Sequence, residues 1–266
     1  MKICSEIHLG DVKNVYGGPE GDIWELLMGE QVHIGGFLSS TELAEKAGIG
    51  KGQSGVDMCC CTGAGMRFLV KFRGVAHMTG VDATARVITR GMERDVLAGV
   101  DKQLSFINAD VCASGLPSDS ADFVWGEDAW CYVEDKVKLI SEAVRIVKKG
   151  GVIAFTDWVE GQMLGDAEAL EYLKFMKFPS IFTIPEYVDC LKKNGCEIVQ
   201  AYDTGRFAPY AQMYIEYATK QLSFDILRTI GFNVDVLAGL GNGLQMVAGL
   251  AKSGKIAQGL IIARKK

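Results

Sequence analysis

The chain has 266 residues and a formal net charge of −5, from 28 Lys and Arg against 33 Asp and Glu. Hydrophobic residues make up 48% and charged residues 23%, which is typical of a folded globular chain and excludes a disordered or collagen-like one. Because no basic excess exists to neutralise phosphates, we expect no nucleic-acid partner.

The first ten residues, MKICSEIHLG, lack the charged-then-apolar pattern of a signal peptide. No eighteen apolar residues follow one another, so we expect a cytoplasmic protein without a membrane span. The eight cysteines are therefore interpreted as reduced thiols. With no Cys-x-x-Cys pair and only three histidines, no metal site is predicted.

Short apolar runs alternate with longer amphipathic ones from about residue 54, as strands and crossover helices do around a parallel sheet. The predicted strands are Ser54–Cys60, Val75–Val81, Leu104–Asn108, Ala121–Gly126, Val152–Asp157, Glu197–Tyr202 and Lys255–Arg264. The predicted helices are Met66–Phe72, Thr84–Ala98, Glu134–Lys148, Pro185–Asn194 and most of Tyr210–Lys252.

This order predicts an α/β fold: a Rossmann-like, doubly wound sheet of mostly parallel strands with an antiparallel C-terminal strand. Residues 1–50 are predicted to form a helical or loop lid. Residues 51–266 form the main domain, with cap insertions at about 161–185 and 205–252. The second insertion is expected to pack over a pocket, with homodimer or lipid contacts as the alternatives.

The first predicted strand runs into a glycine-bearing turn, Thr62-Gly63-Ala64-Gly65, followed directly by a helix. Such a turn lets a ligand approach the backbone, and the helix N-terminus offers free N–H groups to it. A plain tight turn is the alternative. Asp82 closes the second strand, where a carboxylate can accept hydrogen bonds from ribose hydroxyls. It could instead cap the helix that starts near Thr84.

A third element follows the next strand, in Asn108-Ala109-Asp110-Val111. An Asp here can accept a hydrogen bond from an adenine amino group, while the adjacent backbone N–H meets a ring nitrogen. Leu116-Pro117 and Asp122-Phe123-Val124 come next. In this order the motifs resemble those of the class I S-adenosylmethionine-dependent methyltransferases over about residues 54–160.

Further stretches are similar to the sarcosine/dimethylglycine and phosphoethanolamine-type small-molecule methyltransferases. They are Gly29–Gly35, Ala64–Val70, Trp125–Trp130, Phe155–Asp157 and Ser253–Lys255. The chain departs from the family's Asp-x-Gly-x-Gly-x-Gly pattern, because Cys59 and Cys61 stand where glycines are expected. A Cβ disfavours positive φ there, so weaker cofactor binding is expected. A metal or redox role for Cys59–Cys61 is the alternative.

The resemblance implies S-adenosylmethionine as cofactor and assigns its contacts in the strand order. Asp57, Gly63 and Gly65 would line the methionine end, and Glu127 the region beside the sulfonium. The ribose and adenine contacts would come from Asp82, Ala83, Asp110 and Val111.

The acceptor pocket is expected above the strand ends, where aromatic rings would attract a cationic amine by roughly 0.5–2 kcal/mol. The predicted substrate-binding residues are Tyr16, Trp130, Tyr132, Trp158, Arg206 and Tyr210. Trp130 and Tyr132 could instead pack beneath the lid. Arg206 would hold an acceptor carboxylate through two parallel hydrogen bonds, or be a solvated surface arginine. His33 and Asp128 are the predicted catalytic residues, with His33 orienting the lid or removing a proton.

These observations predict a methyltransferase of a small molecule, with an amine nitrogen favoured as acceptor. The same scaffold also methylates oxygen, sulfur and carbon. The remaining alternatives are an NAD-dependent oxidoreductase, which shares the glycine turn and Asp82, and a non-catalytic protein of the same fold.

Overall fold

The computed structural model describes all 266 residues as an α/β structure. The strands are β1 (Lys2–Ile3), β2 (Ser54–Met58), β3 (His77–Asp82), β4 (Leu104–Asn108), β5 (Ala121–Glu127), β6 (Val147–Glu160), β7 (Ser180–Ile181), β8 (Cys196–Asp203) and β9 (Ile256–Lys265). The helices are α1 (Leu9–Tyr16), α2 (Pro19–Met28), α3 (Gly36–Ala47), α4 (Ala64–Arg73), α5 (Ala85–Ala98), α6 (Lys136–Ile146), α7 (Asp166–Met176), α8 (Ile184–Lys193), α9 (Phe207–Glu216), α10 (Ser223–Thr229) and α11 (Val234–Lys252).

Seven strands form one sheet in the order β4-β3-β2-β5-β6-β9-β8. The strands from β4 to β6 are parallel, whereas β9 lies between β6 and β8 and is antiparallel to both. The chain proceeds outward from β2 to β4 and then crosses to β5, so the order reverses beside β2. A doubly wound sheet binds ligands at such a reversal. The predicted fold class is confirmed.

The central strands are hydrophobic on both faces because helices cover each side of the sheet. Three consecutive residues of β5, Phe123, Val124 and Trp125, are fully buried, so buried and exposed side chains do not alternate along this strand. One face packs against α6 and α8, and the other against α3 and α4. The helix α6 ends at Ile146, earlier than predicted, because Val147 already pairs with Ala121 in the sheet.

The N-terminal fifty residues contribute to two different layers. Leu43 and Ala44 of α3 are fully buried against the sheet, in one cluster with Leu69 and Leu260. The helices α1 and α2 instead pack in a separate apolar cluster with α7, α9 and α11. The strand β1 pairs with β7, which joins the start of the chain to the first cap insertion.

The helix α11 is long and apolar enough to span a membrane, whereas the sequence predicted no such segment. It has 19 residues, and by its length and a mean hydropathy of 1.3 it could cross a membrane; 28% of this apolar window is buried in the protein. Its buried residues, Leu244, Val247 and Leu250 among them, pack with α9 and α7.

Lys136 in α6 is a buried cation that the sequence did not single out. Its side chain is 1% exposed, and Nζ donates hydrogen bonds to the backbone oxygens of Val133 and Ser180, both at 3.0 Å, and to Ser180 Oγ at 2.7 Å. These bonds join the loop after β5 to β7. Burial lowers the pKa of Lys136 to about 8.

The buried lysine predicts a rise in stability at alkaline pH. Between about 8 and its ordinary value of 10.5, the unfolded chain binds a proton at this residue that the folded protein does not. The free energy of unfolding should therefore rise with pH in this window, by up to roughly 1.4 kcal/mol per pH unit, relative to a Lys136→Met variant. Urea denaturation of both proteins from pH 7 to 10 measures the difference. Lys138→Met, at an exposed position of the same helix, is the control, and parallel curves for wild type and Lys136→Met would contradict the prediction.

Candidate functional site

A cavity of ≈ 300 Å³ opens at the carboxyl ends of β2, β3 and β5, beside the reversal in strand order. It brings together residues from the sheet, the lid and the turn after β5. Seven of the eight predicted cofactor contacts line it: Asp57, Gly65, Asp82, Ala83, Asp110, Val111 and Glu127. Both predicted catalytic residues, His33 and Asp128, also line it, as do Tyr16 and Tyr132.

The turn after β2 keeps a glycine-like backbone although Cys59 and Cys61 stand where glycines are expected. Cys59, Cys61 and Gly63 have φ values of 66°, 49° and 75°. Cys59 and Cys61 therefore adopt the left-handed conformation that their Cβ atoms disfavour. All three cysteines of the turn line the cavity. Burial and the carboxylate of Asp82 raise the pKa of Cys61 to about 12, so its thiol is protonated at neutral pH.

The two glycines of the turn serve different purposes. A Cβ at Gly63 would lie 2.8 Å from both Met66 and Phe106, so Gly63 permits close packing and does not itself line the cavity. A Cβ at Gly65 would lie 2.7 Å from Glu127 Oε2 and 3.1 Å from Trp125 Nε1. Trp125 Nε1 is buried and has no hydrogen-bond partner. The missing Cβ at Gly65 therefore leaves space next to polar atoms, as a bound polar ligand requires.

Asp82 fastens the turn to the end of β3. Its Oδ2 accepts a hydrogen bond from the backbone N–H of Cys61 at 2.9 Å, and its Oδ1 accepts one from Thr84 at 2.8 Å. The N-cap of α5 is Thr84, so the capping role considered for Asp82 is wrong, and Asp82 instead lies on the cavity wall. Burial raises its pKa, although the two backbone hydrogen bonds oppose that shift. Remaining lone pairs of the carboxylate are free for a ligand.

Asp110 stabilises the short turn Val111–Ala113 in a similar way. Its Oδ1 accepts a hydrogen bond from the backbone N–H of Cys112 at 2.8 Å. Asp110 and Val111 both line the cavity, at the end of β4. The carboxylate and the Val111 backbone thus lie side by side at this edge, as the sequence suggested for an adenine contact.

Asp57 and Glu127 end neighbouring strands and approach the same point near Gly65. Asp57 is 4% exposed, and burial, followed by the carboxylates of Glu127 and Asp82, raises its pKa well above the ordinary value. Removing carboxylates from water without a nearby cation is costly. This acidic cluster is therefore suited to a positively charged ligand group.

Ser40 connects the lid with this acidic cluster. The residue is fully buried in α3, and its Oγ donates a hydrogen bond to Glu127 Oε1 at 2.6 Å. The same Oγ accepts from Gln31 Nε2 at 3.0 Å and lies 3.2 Å from His33 Nε2. His33 Nε2 is also 3.3 Å from Glu127 Oε1. The imidazole is thus held between a serine and a carboxylate at the cavity wall.

Asp128 holds the loop that carries His33. Its Oδ2 accepts a hydrogen bond from the backbone N–H of Ile34 at 2.7 Å, and Gln258 Nε2 donates to both carboxylate oxygens, at 3.0 and 2.9 Å. Asp128 itself has a left-handed backbone, with φ of 50°. These contacts make Asp128 a residue that positions the lid loop against β9.

Tyr16 and Tyr132 face one another in the cavity, with their ring centroids 5.3 Å apart and their planes nearly perpendicular. Tyr16 comes from α1, and Tyr132 from the turn after β5. Nearby Leu9, Val12 and Val133 add apolar surface. This end of the cavity can hold the apolar or cationic part of a ligand.

Four predicted substrate-binding residues do not line this cavity. Trp130 is fully buried and stacks on Phe155, in space that the missing Cβ of Gly126 provides. Trp158 is buried between Phe178 and Phe207. The remaining two lie on the cap side.

Arg206 forms an ion pair with Glu42 of α3, and its Nη1 lies 3.4 Å from Ser39 Oγ. It therefore joins the cap to the lid. Tyr210 lines a second cavity, between α2 and α9.

Some residues that contact the cavity lining carry no recognisable sequence signal. Ser40 lies in a run of Ser39, Ser40 and Thr41, and the pattern does not show which hydroxyl points towards the sheet. No group of three or more His, Cys, Asp or Glu residues is arranged to hold a metal ion. Burial raises the pKa of the Cys59, Cys60 and Cys61 thiols, so all three are protonated at neutral pH.

Comparison with known proteins agrees with this geometry. Residues 56–155 match the family model described as a methyltransferase domain. The chain is 29% identical to cycloartenol-C-24-methyltransferase of Arabidopsis thaliana over 63% of its length, which corresponds to 51% of that relative. The chain thus spans about half the length of this curated relative.

Solved structures share the fold over nearly the whole chain. A Galdieria sulphuraria protein assigned to the sarcosine dimethylglycine methyltransferases has a TM-score of 0.85 at 18% identity, covering 95% of this chain and 98% of that one. Haemonchus contortus phosphoethanolamine N-methyltransferase 2, solved with phosphomonomethylethanolamine and S-adenosylhomocysteine, has a TM-score of 0.82 at 20% identity, covering 97% and 59%. These structures confirm the fold, and the methyltransferase-domain match over residues 56–155 confirms the resemblance to class I S-adenosylmethionine-dependent methyltransferases.

The strained turn predicts that glycine stabilises the protein at position 61. A residue with a Cβ in the left-handed conformation destabilises the folded protein by about 1–2 kcal/mol, and glycine removes this strain. Glycine also gives the unfolded chain more entropy, which cancels about 0.5–1 kcal/mol of the stabilisation. Cys61→Gly should therefore raise the free energy of unfolding by about 0.5–1 kcal/mol, measured by urea denaturation under reducing conditions. Cys61→Ala, which keeps the Cβ, should give no such gain. An equal gain in both variants would assign the effect to the thiol.

The buried serine predicts a loss of stability that its neighbour does not share. Ser40→Ala removes the hydroxyl that donates a hydrogen bond to Glu127 Oε1 and should lower the free energy of unfolding by about 1–3 kcal/mol. Ser39→Ala is the matched control, because Ser39 is equally buried but makes only the 3.4 Å contact with Arg206. Denaturation of both variants measures the difference, and equal losses would count against a special role for Ser40.

Proposed function

We propose that the protein is an S-adenosylmethionine-dependent methyltransferase that acts on a small molecule, with an amine nitrogen as the acceptor. The proposal rests on residues that meet in one cavity at the ends of three adjacent strands, β2, β3 and β4. They are Asp57, Gly65, Asp82, Asp110 and Val111. The methyltransferase-domain match over residues 56–155 supports it independently.

The residues of the cavity fit this cofactor by position and by charge. Asp82 would hold the ribose hydroxyls with the lone pairs that Cys61 and Thr84 leave free, and Asp110 with Val111 would hold the adenine. Asp57, Glu127 and the space beside Gly65 would hold the methionine portion. S-adenosylmethionine supplies a methyl group bonded to a positively charged sulfur, and the acidic cluster is complementary to that charge.

The protein's own contribution to methyl transfer is alignment and exclusion of water. An acceptor with a free lone pair needs correct placement more than proton transfer, and well-oriented reactants gain a large part of the rate from positioning alone. Glu134 Oε1 accepts a hydrogen bond from the backbone N–H of Leu9 at 2.7 Å, which closes α1 over the cavity. His33, held by Ser40 and Glu127, would fix the lid loop at the acceptor.

An amine is the favoured acceptor because of the aromatic and acidic surroundings. The faces of Tyr16 and Tyr132 attract a nitrogen that becomes positively charged during methylation. The Haemonchus contortus neighbour acts on an amine, whereas the Arabidopsis thaliana relative methylates carbon. Carbon methylation is therefore the second candidate function.

Calorimetric titration tests the cofactor assignment. We expect S-adenosylmethionine and S-adenosylhomocysteine to bind and NAD not to bind. Asp82→Asn removes the charge that two backbone amides and the ribose would share, so the Kd for S-adenosylhomocysteine should rise about tenfold, or about 1.4 kcal/mol. Asp101→Asn, at an exposed position before β4, should leave it unchanged. Binding of NAD alone would indicate an oxidoreductase, and binding of neither would indicate a non-catalytic protein.

A further inference from the structure

The charged side chains around the first cavity are almost all acidic. Eight lining residues are Asp or Glu, and Lys138 is the one Lys or Arg among them. Four of them, Asp57, Asp82, Asp110 and Glu127, are proposed to contact the cofactor, and the other four are Glu30, Asp128, Glu134 and Asp135. A cavity of this kind has a negative electrostatic potential, which attracts cations and repels anions.

The cations next to the cavity are already engaged. Arg67 Nη1 lies 2.9 Å from Asp95 Oδ1, and its Nη2 lies 3.2 Å from Glu30 Oε2. Arg94 pairs with Glu25, and its Nη1 lies 3.3 Å from Oγ1 of the lining residue Thr62. Arg206 pairs with Glu42, and the amine of Lys136 is surrounded by carbonyl oxygens.

The remaining cation, Lys138, lies at the mouth of the cavity. Its side chain is 73% exposed, and its Nζ is 3.5 Å from Asp135 Oδ2. No buried guanidinium or ammonium therefore points into the cavity to hold a carboxylate or phosphate.

The acceptor end of the cavity offers apolar and aromatic contacts instead. Leu9, Val12 and Tyr16 of α1 face Tyr132 and Val133 across it. Moving a carboxylate or phosphate from water to this surface would cost its hydration without a compensating ion pair, and the neighbouring carboxylates would repel it. A protonated amine would lose hydration too, but the aromatic faces and the acidic residues would offset that loss.

We infer that the methyl acceptor is an amine without a carboxylate or phosphate group, and that the cavity selects against anionic acceptors by charge. This inference rests on the proposed function and narrows it. It excludes amino acids and phosphate-bearing molecules as acceptors, because their anionic groups need a fixed cation in the protein. The identity of the amine is then set by the apolar surface of α1 and the turn after β5.

Acceptor pairs that differ only in the anionic group test the inference. The protein is first saturated with S-adenosylhomocysteine, and binding is then measured by calorimetry for sarcosine against sarcosinamide, for phosphoethanolamine against ethanolamine, and for a series of linear alkylamines. At least one amine without an anionic group should bind. Within each pair, the member without the carboxylate or phosphate should bind at least tenfold more tightly than the member that has it. Equal or tighter binding of the anionic member overturns the inference, as does failure of every amine to bind.

A charge-neutralising variant at the mouth gives a second measurement. Asp135→Asn keeps an N-cap residue for α6, since Asn caps as well as Asp, but removes one negative charge beside Lys138. The preference for the non-anionic member of each pair should fall by about two- to threefold, because an exposed charge acts weakly. Asp203→Asn, at the exposed last residue of β8 and outside the cavity, is the matched control. A preference that falls equally in both variants, or in neither, contradicts the charge mechanism.

Failure of the inference is distinguishable from failure of the proposed function. A protein that does not bind S-adenosylhomocysteine contradicts the methyltransferase assignment itself, before any acceptor is tested. A protein that binds this cofactor but prefers anionic acceptors keeps its assignment and loses only the charge selection.

Discussion

The site depends on one carboxylate that binds two backbone amides. Asp82, at the end of β3, accepts hydrogen bonds from Cys61 in the turn after β2 and from Thr84 before α5. Charge-assisted hydrogen bonds of this kind are stronger than neutral ones, and they fix two segments that would otherwise move independently. The same carboxylate lies on the cavity wall. The residue that would recognise a ligand is thus also the one that shapes the turn beneath it.

The clustering of carboxylates follows from the topology and has a cost. Parallel strands place their carboxyl ends at one edge, so acidic residues that end β2, β3 and β5 converge there. Burial raises the pKa of Asp57 and of Asp82, which means that their ionised forms are disfavoured without a ligand. A cation bound there would relieve this electrostatic strain. The clustered carboxylates therefore lower the stability of the protein without a ligand, as is common at functional sites.

The sheet and part of the cavity wall could be predicted from the sequence, because each has a local signature. β4 occupies the predicted Leu104–Asn108, and Asp57, Gly65, Asp82 and Asp110 follow strand ends at recognisable places. The backbone at Cys59 and Cys61 was less accessible, since residue type argued against the positive φ that the surrounding turn imposes. The predicted substrate-binding residues were the hardest to place from the sequence. Trp130 and Arg206 have the right chemistry, but only tertiary packing directs them to Phe155 and Glu42. Ser40 and Lys136 have roles that depend entirely on partners distant in sequence.

The position of β9 bears on how the chain folds during synthesis. β9 lies between β6 and β8, so β8 has no neighbour in the sheet until β9 has been made, although β8 precedes it in sequence. While the ribosome is still adding α9 to α11, the nascent domain exposes the free edge of β6, and such an edge can pair with another chain. We therefore expect chains that lack β9 to need chaperones to protect this edge. Protein tags placed after β9 should be tolerated better than insertions that separate β9 from the preceding strands.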